Sequence, residues 1–252
     1  MSASLLDPRV DVVIGGVQKG GTTALDLVLR KHPAMRMGSE KEPHWFDIEE
    51  NFHPQPRDVA EYHALWGDQL ATGICCDSTP SYVWWPSAVQ RIHTYNPAMR
   101  WIVLLRDPAE RAYSHWNMQR SRGNEPLGFD EALKAESERL SARSGTMQRR
   151  HSYLSRGFYA QQLNRLFASF PREQVLVLLS DRLRGDFPAV IDEVLDFLGL
   201  EPHGRIEARN AHEGEYDAPL PAEARAWLVA RYADDVRELE KLLGWDLAAW
   251  RK

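Results

Sequence analysis

Apolar positions along the chain fall into short aliphatic runs separated by stretches of helical period. Val10 to Ile14 is a β-branched run that stops at Gly15-Gly16, the pattern of a buried strand entering a turn. From Thr22 to Lys31, Ala24, Leu25, Val28 and Leu29 recur at helical spacing, and Pro33 closes the helix. Residues 40–57, rich in Pro, His and aromatics, predict loop, and a helix is expected over about 58–68. Pro86 to Tyr95 predicts a helix with proline at its start. Trp101 to Leu105 is a second strand, ended by Arg106-Asp107-Pro108 and followed by a helix over 109–122. Phe158 to Phe170 predicts a helix, Val175 to Leu179 a third strand, Phe187 to Leu198 a helix, and about Pro221 to Leu243 a last long helix. Strands alternating with helices predict an α/β fold, a parallel central sheet flanked by helices, formed as one domain over residues 1–252. Ligands in such sheets bind outside the carboxyl ends of the strands.

Composition changes this picture little. The 252 residues are 43% apolar and 27% charged, as in an ordinary globular protein with a sizeable core. A net charge of −5 gives no overall basic field and argues against nucleic acid as a partner. Cys75 and Cys76 have no CxxC or His partner at metal spacing, so no metal site is expected and both read as buried thiols in a reducing compartment. The first residues show neither a basic n-region nor an apolar h-region, and no apolar run approaches the ~20 residues of a membrane span, so a cytoplasmic protein without a membrane partner is expected. No pattern speaks to oligomeric state. Arg139, Arg143, Arg149, Arg150 and Arg156 occur over 139–156 with no acid among them, which predicts a mobile basic segment: a lid, a reader of an anionic acceptor, or a solvated loop.

Two segments carry candidate chemistry. Gly15-Gly16-Val17-Gln18-Lys19-Gly20-Gly21-Thr22-Thr23 joins strand to helix. Its glycines allow backbone N–H groups to turn toward an anion, the helix start adds partial positive charge, and Lys19, Thr22 and Thr23 add a cation and two hydroxyls. The loop is P-loop-like, but Gly21 stands where a Walker A loop has its Lys, and Lys19 comes one place before Gly20. The second segment, Arg106 to His115, puts a guanidinium where the strand releases the chain, able to grip a phosphate bidentately, with Ser114 two turns into the helix. The plain alternatives are an Arg106–Asp107 surface salt bridge and an exposed Ser114. A P-loop kinase acting on a small molecule needs an acid on a second strand to hold Mg²⁺. Here that strand ends in Arg106, an anion ligand in place of a metal ligand.

Together the segments resemble PAPS-dependent sulfotransferases (PAPS is 3′-phosphoadenosine 5′-phosphosulfate), on the branch with heparan sulfate sulfotransferases and their bacterial relatives. The resemblance runs from Val12 to about Leu243 through four motifs in family order: Gly16 to Leu25, Lys41-Glu42-Pro43-His44-Trp45-Phe46-Asp47, Ser78-Thr79-Pro80-Ser81-Tyr82, and Leu105-Arg106-Asp107-Pro108 with Arg111-Ala112-Tyr113-Ser114. It implies that Lys19, Gly20, Gly21, Thr22 and Thr23 hold the 5′-phosphosulfate and that Arg106 and Ser114 hold the 3′-phosphate. It implies further that Glu42 is the general base, that Arg209 and Asn210 lie in a C-terminal nucleotide loop, and that PAP (3′-phosphoadenosine 5′-phosphate) is the product. Two departures stand out: Ser78 occupies a position where relatives often carry Lys, and the segment from Arg209-Asn210 to Gly214 matches its loop only loosely. For His44 three roles stay open: orienting Glu42, contacting the acceptor, or packing. Asp77 either sits near the acceptor or caps the Thr79-Pro80 turn. The aromatics Trp45, Phe46, Tyr82, Trp84 and Trp85 either line a pocket or form core. The acceptor expected is a small molecule or glycoconjugate, presenting a sugar hydroxyl, phenol, amine or natural-product alcohol.

Overall fold

Residues 9–141, 145–203 and 218–252 are described by the computed structural model. Five strands, β1 (Val12–Gly16), β2 (Met35–Met37), β3 (Ile74–Asp77), β4 (Arg100–Leu105) and β5 (Val175–Leu179), form one sheet in the order β2-β3-β1-β4-β5. Every pairing is parallel. The helices are α1 (Thr22–Leu29), α2 (Val59–His63), α3 (Pro86–Tyr95), α4 (Pro108–Ser121), α5 (Phe129–Ser141), α6 (Gly145–His151), α7 (Tyr159–Ser169), α8 (Ser180–Gly185), α9 (Phe187–Leu198) and α10 (Ala222–Leu243).

Alternate residues of each strand serve opposite faces. Val12, Ile14, Cys76, Ile102, Leu104 and Leu178 pack under α1, α8 and α9 through Leu25, Leu183, Val190 and Val194. Val13, Cys75, Trp101, Val103, Leu105, Val175 and Val177 pack on the other face against α3, α4, α7 and α10. Both faces are therefore covered, and strands buried on both sides read as continuous apolar runs. Left-handed glycines end two of the covering helices, Gly199 after α9 (φ 68°) and Gly244 after α10 (φ 69°).

The three strands expected from sequence are present within a residue or two, as β1, β4 and β5. β2 and β3 were not expected, because each is only three or four residues long and carries Arg36 or Asp77 in place of an unbroken apolar run. Cys75 and Cys76 stand in β3, both free and buried. The helix expected over 58–68 is confined to Val59–His63, after which a 3-10 turn runs from Gly67 to Ala71. Helices α5 and α8 were also unforeseen.

β3, β1 and β4 lie side by side in the middle of the sheet, and their carboxyl ends lead into Ser78-Thr79-Pro80, the glycine loop and Arg106. The seam between β1 and β4 is irregular. Ile14 pairs with Ile102 but Gly16 pairs with Val103, so a bulge at Gly15 re-aims the end of β1. A Cβ on Gly15 would lie 2.4 Å from the Trp101 ring, so only glycine passes there. Gly15→Ala is expected to lower stability by about 1–3 kcal/mol, the usual effect of overpacking a dense core. A fall in the urea midpoint at unchanged m-value checks this, and an unmoved midpoint would contradict it.

Candidate active site

The glycine loop is folded against the seam. Val17 N–H donates to the Leu104 carbonyl at 3.0 Å, and Gly20 N–H donates to the Val17 carbonyl at 2.8 Å. A Cβ on Gly20 would sit 2.4 Å from the Leu104 oxygen, which fixes glycine at this position. Lys19 adopts φ 72°, a left-handed conformation that costs a residue with a side chain of order 1–3 kcal/mol. Gly21 at φ 101° then starts α1, whose first turn no side chain caps. Thr22, buried, and Thr23, half-buried, stand in that first turn.

Arg106 leaves β4 beside this loop. Its Nη1 donates to the Lys19 carbonyl at 3.4 Å, its Nη2 lies 3.7 Å from Glu110, and its carbonyl accepts from the Tyr159 hydroxyl at 2.8 Å. Asp107 is not its partner. That carboxylate caps α4 by accepting from Ala109 and Glu110 N–H and pairs with Arg225 at 2.9 Å. Ser114 is buried on the inner side of α4, not exposed. Lys19 is pushed below the ordinary lysine range, first by burial and then by the charges of Arg106, Arg122 and Arg111, with Glu42 acting against them. Cations are thus concentrated at the carboxyl end of the sheet.

The loop carrying Glu42 is tied to β3, since Glu42 N–H donates to the Ser78 carbonyl at 3.2 Å. Both Glu42 (φ 59°) and His44 (φ 55°) are left-handed. Lys41 Nζ donates to Glu42 Oε1 at 2.5 Å, and His44 Nε2 lies 3.7 Å from Glu42 Oε2. On the other side of the ring, His44 Nδ1 donates to Asp47 Oδ2 at 2.9 Å, and the Ser81 hydroxyl donates to the same carboxylate. Burial pushes the Asp47 carboxyl up, but the bonds from His44 and Ser81 and the nearby Arg149 outweigh it, and the group sits below its ordinary range. An ionised Asp47 keeps the proton on Nδ1 and leaves Nε2 toward Glu42. At 3.7 Å, Nε2 makes no hydrogen bond to Glu42, and the ring stands in the cleft lining beside it.

Asp77 holds the same loop from beneath. It accepts from the Thr79 hydroxyl at 2.6 Å and from the Tyr62 and Tyr82 hydroxyls at 2.8 Å each. The Tyr82 oxygen in turn accepts from Trp45 N–H at 3.1 Å. Asp77 therefore braces the Thr79-Pro80 turn rather than facing an acceptor. Trp45, Phe46, Tyr82 and Trp85 are core, while Trp84 lies under the Arg156 guanidinium at 4.2 Å. The Ser78 hydroxyl, where relatives often carry Lys, is buried with no hydrogen-bond partner among the described residues.

Within the basic stretch 139–156, α6 spans Gly145–His151; residues 142–144, which include Arg143, lie outside the described residues, as do Arg209 and Asn210. Two buried glutamates from outside the stretch secure it. Glu125 pairs with Arg139 at 2.5 Å and accepts from the Tyr153 hydroxyl at 2.8 Å. Glu136 accepts from Leu154 and Ser155 N–H at 2.5 and 2.7 Å. These acids precede the stretch in sequence and meet it only in the fold.

The elements enclose a cleft of about 240 Å³, in which Glu42, His44 and Ser81 face Arg122, Arg149, Arg150 and Arg156. Gln119 and Arg122 were missed in the sequence. Their signal is present: Arg111, His115, Gln119 and Arg122 repeat at helical spacing along α4, and the first three are buried. A polar stripe on the buried side of a helix points to a site rather than to solvent.

A family model described as the sulfotransferase domain matches residues 9–213. Human heparan sulfate glucosamine 3-O-sulfotransferase 6 is 34% identical over 75% of this chain and 52% of its own length. Human bifunctional heparan sulfate N-deacetylase/N-sulfotransferase 3 is 28% identical over 93% of this chain and 30% of its own length. The chain thus spans about half, or less than half, of these relatives. The crystal structure of a sulfotransferase from Alicyclobacillus acidocaldarius superposes with a TM-score of 0.84 at 28% identity, covering 97% of this chain and 99% of that one.

Burial raises the Asp77 carboxyl to about 6, the bonds from Thr79, Tyr62 and Tyr82 acting against it and nearby Asp47 with it. A carboxyl raised in the folded state binds its proton more tightly than in the unfolded chain, where it titrates near about 3.9, so its contribution is largest in acid and is lost as pH rises through 4 to 6. The stability of wild type relative to Asp77→Asn is expected to fall by about 2–3 kcal/mol between pH 4 and pH 7. Urea unfolding at the two pH values tests this, and a constant difference would refute the raised carboxyl.

Proposed function

The chain belongs to the sulfotransferase domain family, and from that premise we propose that it moves the sulfuryl group of PAPS to a hydroxyl of a small-molecule or glycoconjugate acceptor, a phenol or amine being the variants of the same chemistry. The observation that carries this reading is the contact of its two cationic elements. Arg106 Nη1 rests on the carbonyl of Lys19, so the glycine loop and the end of β4 form one anion-binding surface.

The residues present fit a donor with phosphates at both ends. Lys19 is desolvated beside Arg106, Arg111 and Arg122, a state that a bound anion relieves. Lys19, Gly20, Gly21, Thr22 and Thr23 are assigned to the 5′-phosphosulfate, at a helix start that no side chain caps. Arg106 and the buried Ser114 are assigned to the 3′-phosphate. Arg209 and Asn210 complete the assignment on sequence grounds alone. With a cation ending β4 where a kinase keeps its metal-binding acid, neutralisation of the leaving group falls to protein cations, and the kinase alternative gains no support from the matches above.

In the proposed reaction an S–O bond forms between the acceptor oxygen and sulfur, while the bond from sulfur to the bridging oxygen of the 5′-phosphate breaks. Glu42 takes the acceptor proton, Lys19 stabilises the charge that develops on the bridging oxygen, and PAP leaves. Asp47, which also accepts from Ser81, fixes the His44 ring beside Glu42. The left-handed backbone at Glu42 and His44 turns both side chains into the cleft, the kind of strain found where a site requires a geometry that local preference disfavours. The buried free thiols of Cys75 and Cys76 suit a reducing, cytoplasmic setting.

Calorimetry with PAP in metal-free buffer, beside ATP with Mg²⁺, tests the reading. PAP is expected to bind in preference to ATP, and Arg106→Ala to weaken it about 100-fold through loss of a charge-assisted phosphate contact. Preference for ATP with Mg²⁺, or indifference to Arg106, would sink the proposal. Glu42→Gln is expected to keep wild-type PAP affinity while transfer of labelled sulfuryl groups to a panel of hydroxyl acceptors falls by ~10²–10⁴. A variant as active as wild type removes Glu42 from the role of base.

A further inference from the structure

A second pocket, of about 190 Å³, is lined from α5 by Asp130, Leu133 and Lys134 and from α10 by Glu223, Ala224 and Trp227. None of these residues lines the cleft. Leu133 and Ala224 are buried and give the pocket apolar surface. Trp227 is 48% exposed, the most exposed large apolar side chain among the described residues. On its helix Ala224, Leu228, Tyr232 and Val236 form the inward stripe, and Trp227 stands beside that stripe, not in it. Asp130 and Glu223 each stand in the first turn of a helix, where a carboxylate is favourable without any ligand. The indole has no such reason to be there: a large aromatic ring is left half in water at a pocket that it walls. The Asp130 and Glu223 carboxylates and the Lys134 ammonium are exposed, and none of them forms an ion pair among the described residues.

We propose that this pocket binds one neutral pyranose unit, with a C–H face of the sugar on the Trp227 ring and its hydroxyls shared among Asp130, Glu223 and Lys134. It is a holding site with no chemistry of its own, and it stands independently of the sulfuryl-transfer reading of the cleft. The lining selects the class. Two carboxylates accept hydrogen bonds, an ammonium and an indole N–H donate them, and the rest of the wall is apolar. A pyranose matches that set, since each hydroxyl both donates and accepts while the ring carbons present C–H groups to one side. The mixed signs disfavour the charged alternatives: Asp130 and Glu223 repel an anion, and Lys134 repels a cation. The volume lies below the ~300 Å³ at which sites for drug-sized ligands begin, which limits the occupant to about one ring.

The test follows the nine indole N–H resonances of the full chain by two-dimensional NMR while methyl β-D-glucopyranoside is added. The β-glucoside is chosen because its equatorial hydroxyls leave C–H groups on both ring faces. One indole resonance is expected to move saturably, and it is the one missing from the spectrum of Trp227→Phe. Sorbitol keeps the hydroxyls without the ring and should bind at least about tenfold more weakly, the scale of a lost aromatic contact. Tetramethylammonium chloride probes the ring as a cation site and should bind more weakly than the glucoside. The double variant Asp130→Asn/Glu223→Gln, at two exposed positions, keeps Trp227 as the reporter and should weaken the glucoside about tenfold through loss of charged acceptors. No saturable shift, a shift confined to other indoles, equal binding of sorbitol, or a double variant that binds as well as wild type overturns the proposal. Tighter binding of tetramethylammonium at Trp227 also overturns it and makes the pocket a cation site.

Discussion

The carbonyl of Leu104 is the point on which the arrangement turns. It accepts the N–H of Val17 as β1 gives way to the loop, and it stands 2.4 Å from where a Cβ at Gly20 would be. One backbone oxygen on the central seam thus anchors the beginning of the loop and dictates the residue near its end. Lys19, between them, is forced left-handed, and its carbonyl is delivered to Arg106 at the end of the strand that supplied the anchor. The proposed donor surface is thus built by two adjacent parallel strands. The bulge at Gly15 lets the end of one cross toward the other.

The Glu42 side of the cleft is built on a different support. The Glu42 and His44 loop has little regular structure and two left-handed residues, so it depends on bonds from elsewhere: the Ser78 carbonyl, Tyr82 through Trp45 N–H, and Asp47 with Ser81 behind His44. Asp77 gathers Tyr62, Tyr82 and Thr79 under it, so a buried carboxylate on β3 sets the height of a loop more than thirty residues earlier in the chain. The strain at Glu42 and His44 persists because these contacts over-determine it. In the proposed assignment, the donor grip and the proton acceptor therefore stand on separately braced pieces of one sheet edge.

Much of this was legible in the sequence. β1, β4, β5, α7, α9 and α10 follow from uninterrupted apolar runs or steady helical period, because burial on two sheet faces or along one stripe leaves a strong local signature. The motif loops were placed at the correct strand ends for the same reason. β3 escaped because its four residues end in Asp77, a polar residue buried for its hydroxyl partners rather than for packing. The anchoring of the basic stretch was not legible because charge composition is local while its partners Glu125 and Glu136 are not. Ser114 and Asp107 show the same limit. Their burial and pairing depend on how α4 faces the sheet and on Arg225, more than a hundred residues away.

The two cysteines of β3 have a practical bearing. Burial, with Asp11 nearby and Arg36 opposing, pushes the Cys75 thiol to about 12, and Cys76 is pushed well above its ordinary range. The thiolate, the form that reacts with electrophiles, is thereby strongly disfavoured at both cysteines at neutral pH. The native chain is therefore close to chemically silent toward maleimides and iodoacetamides while folded. A single cysteine introduced on an exposed loop at the cleft rim would take a spectroscopic label selectively, without removal of the natural pair.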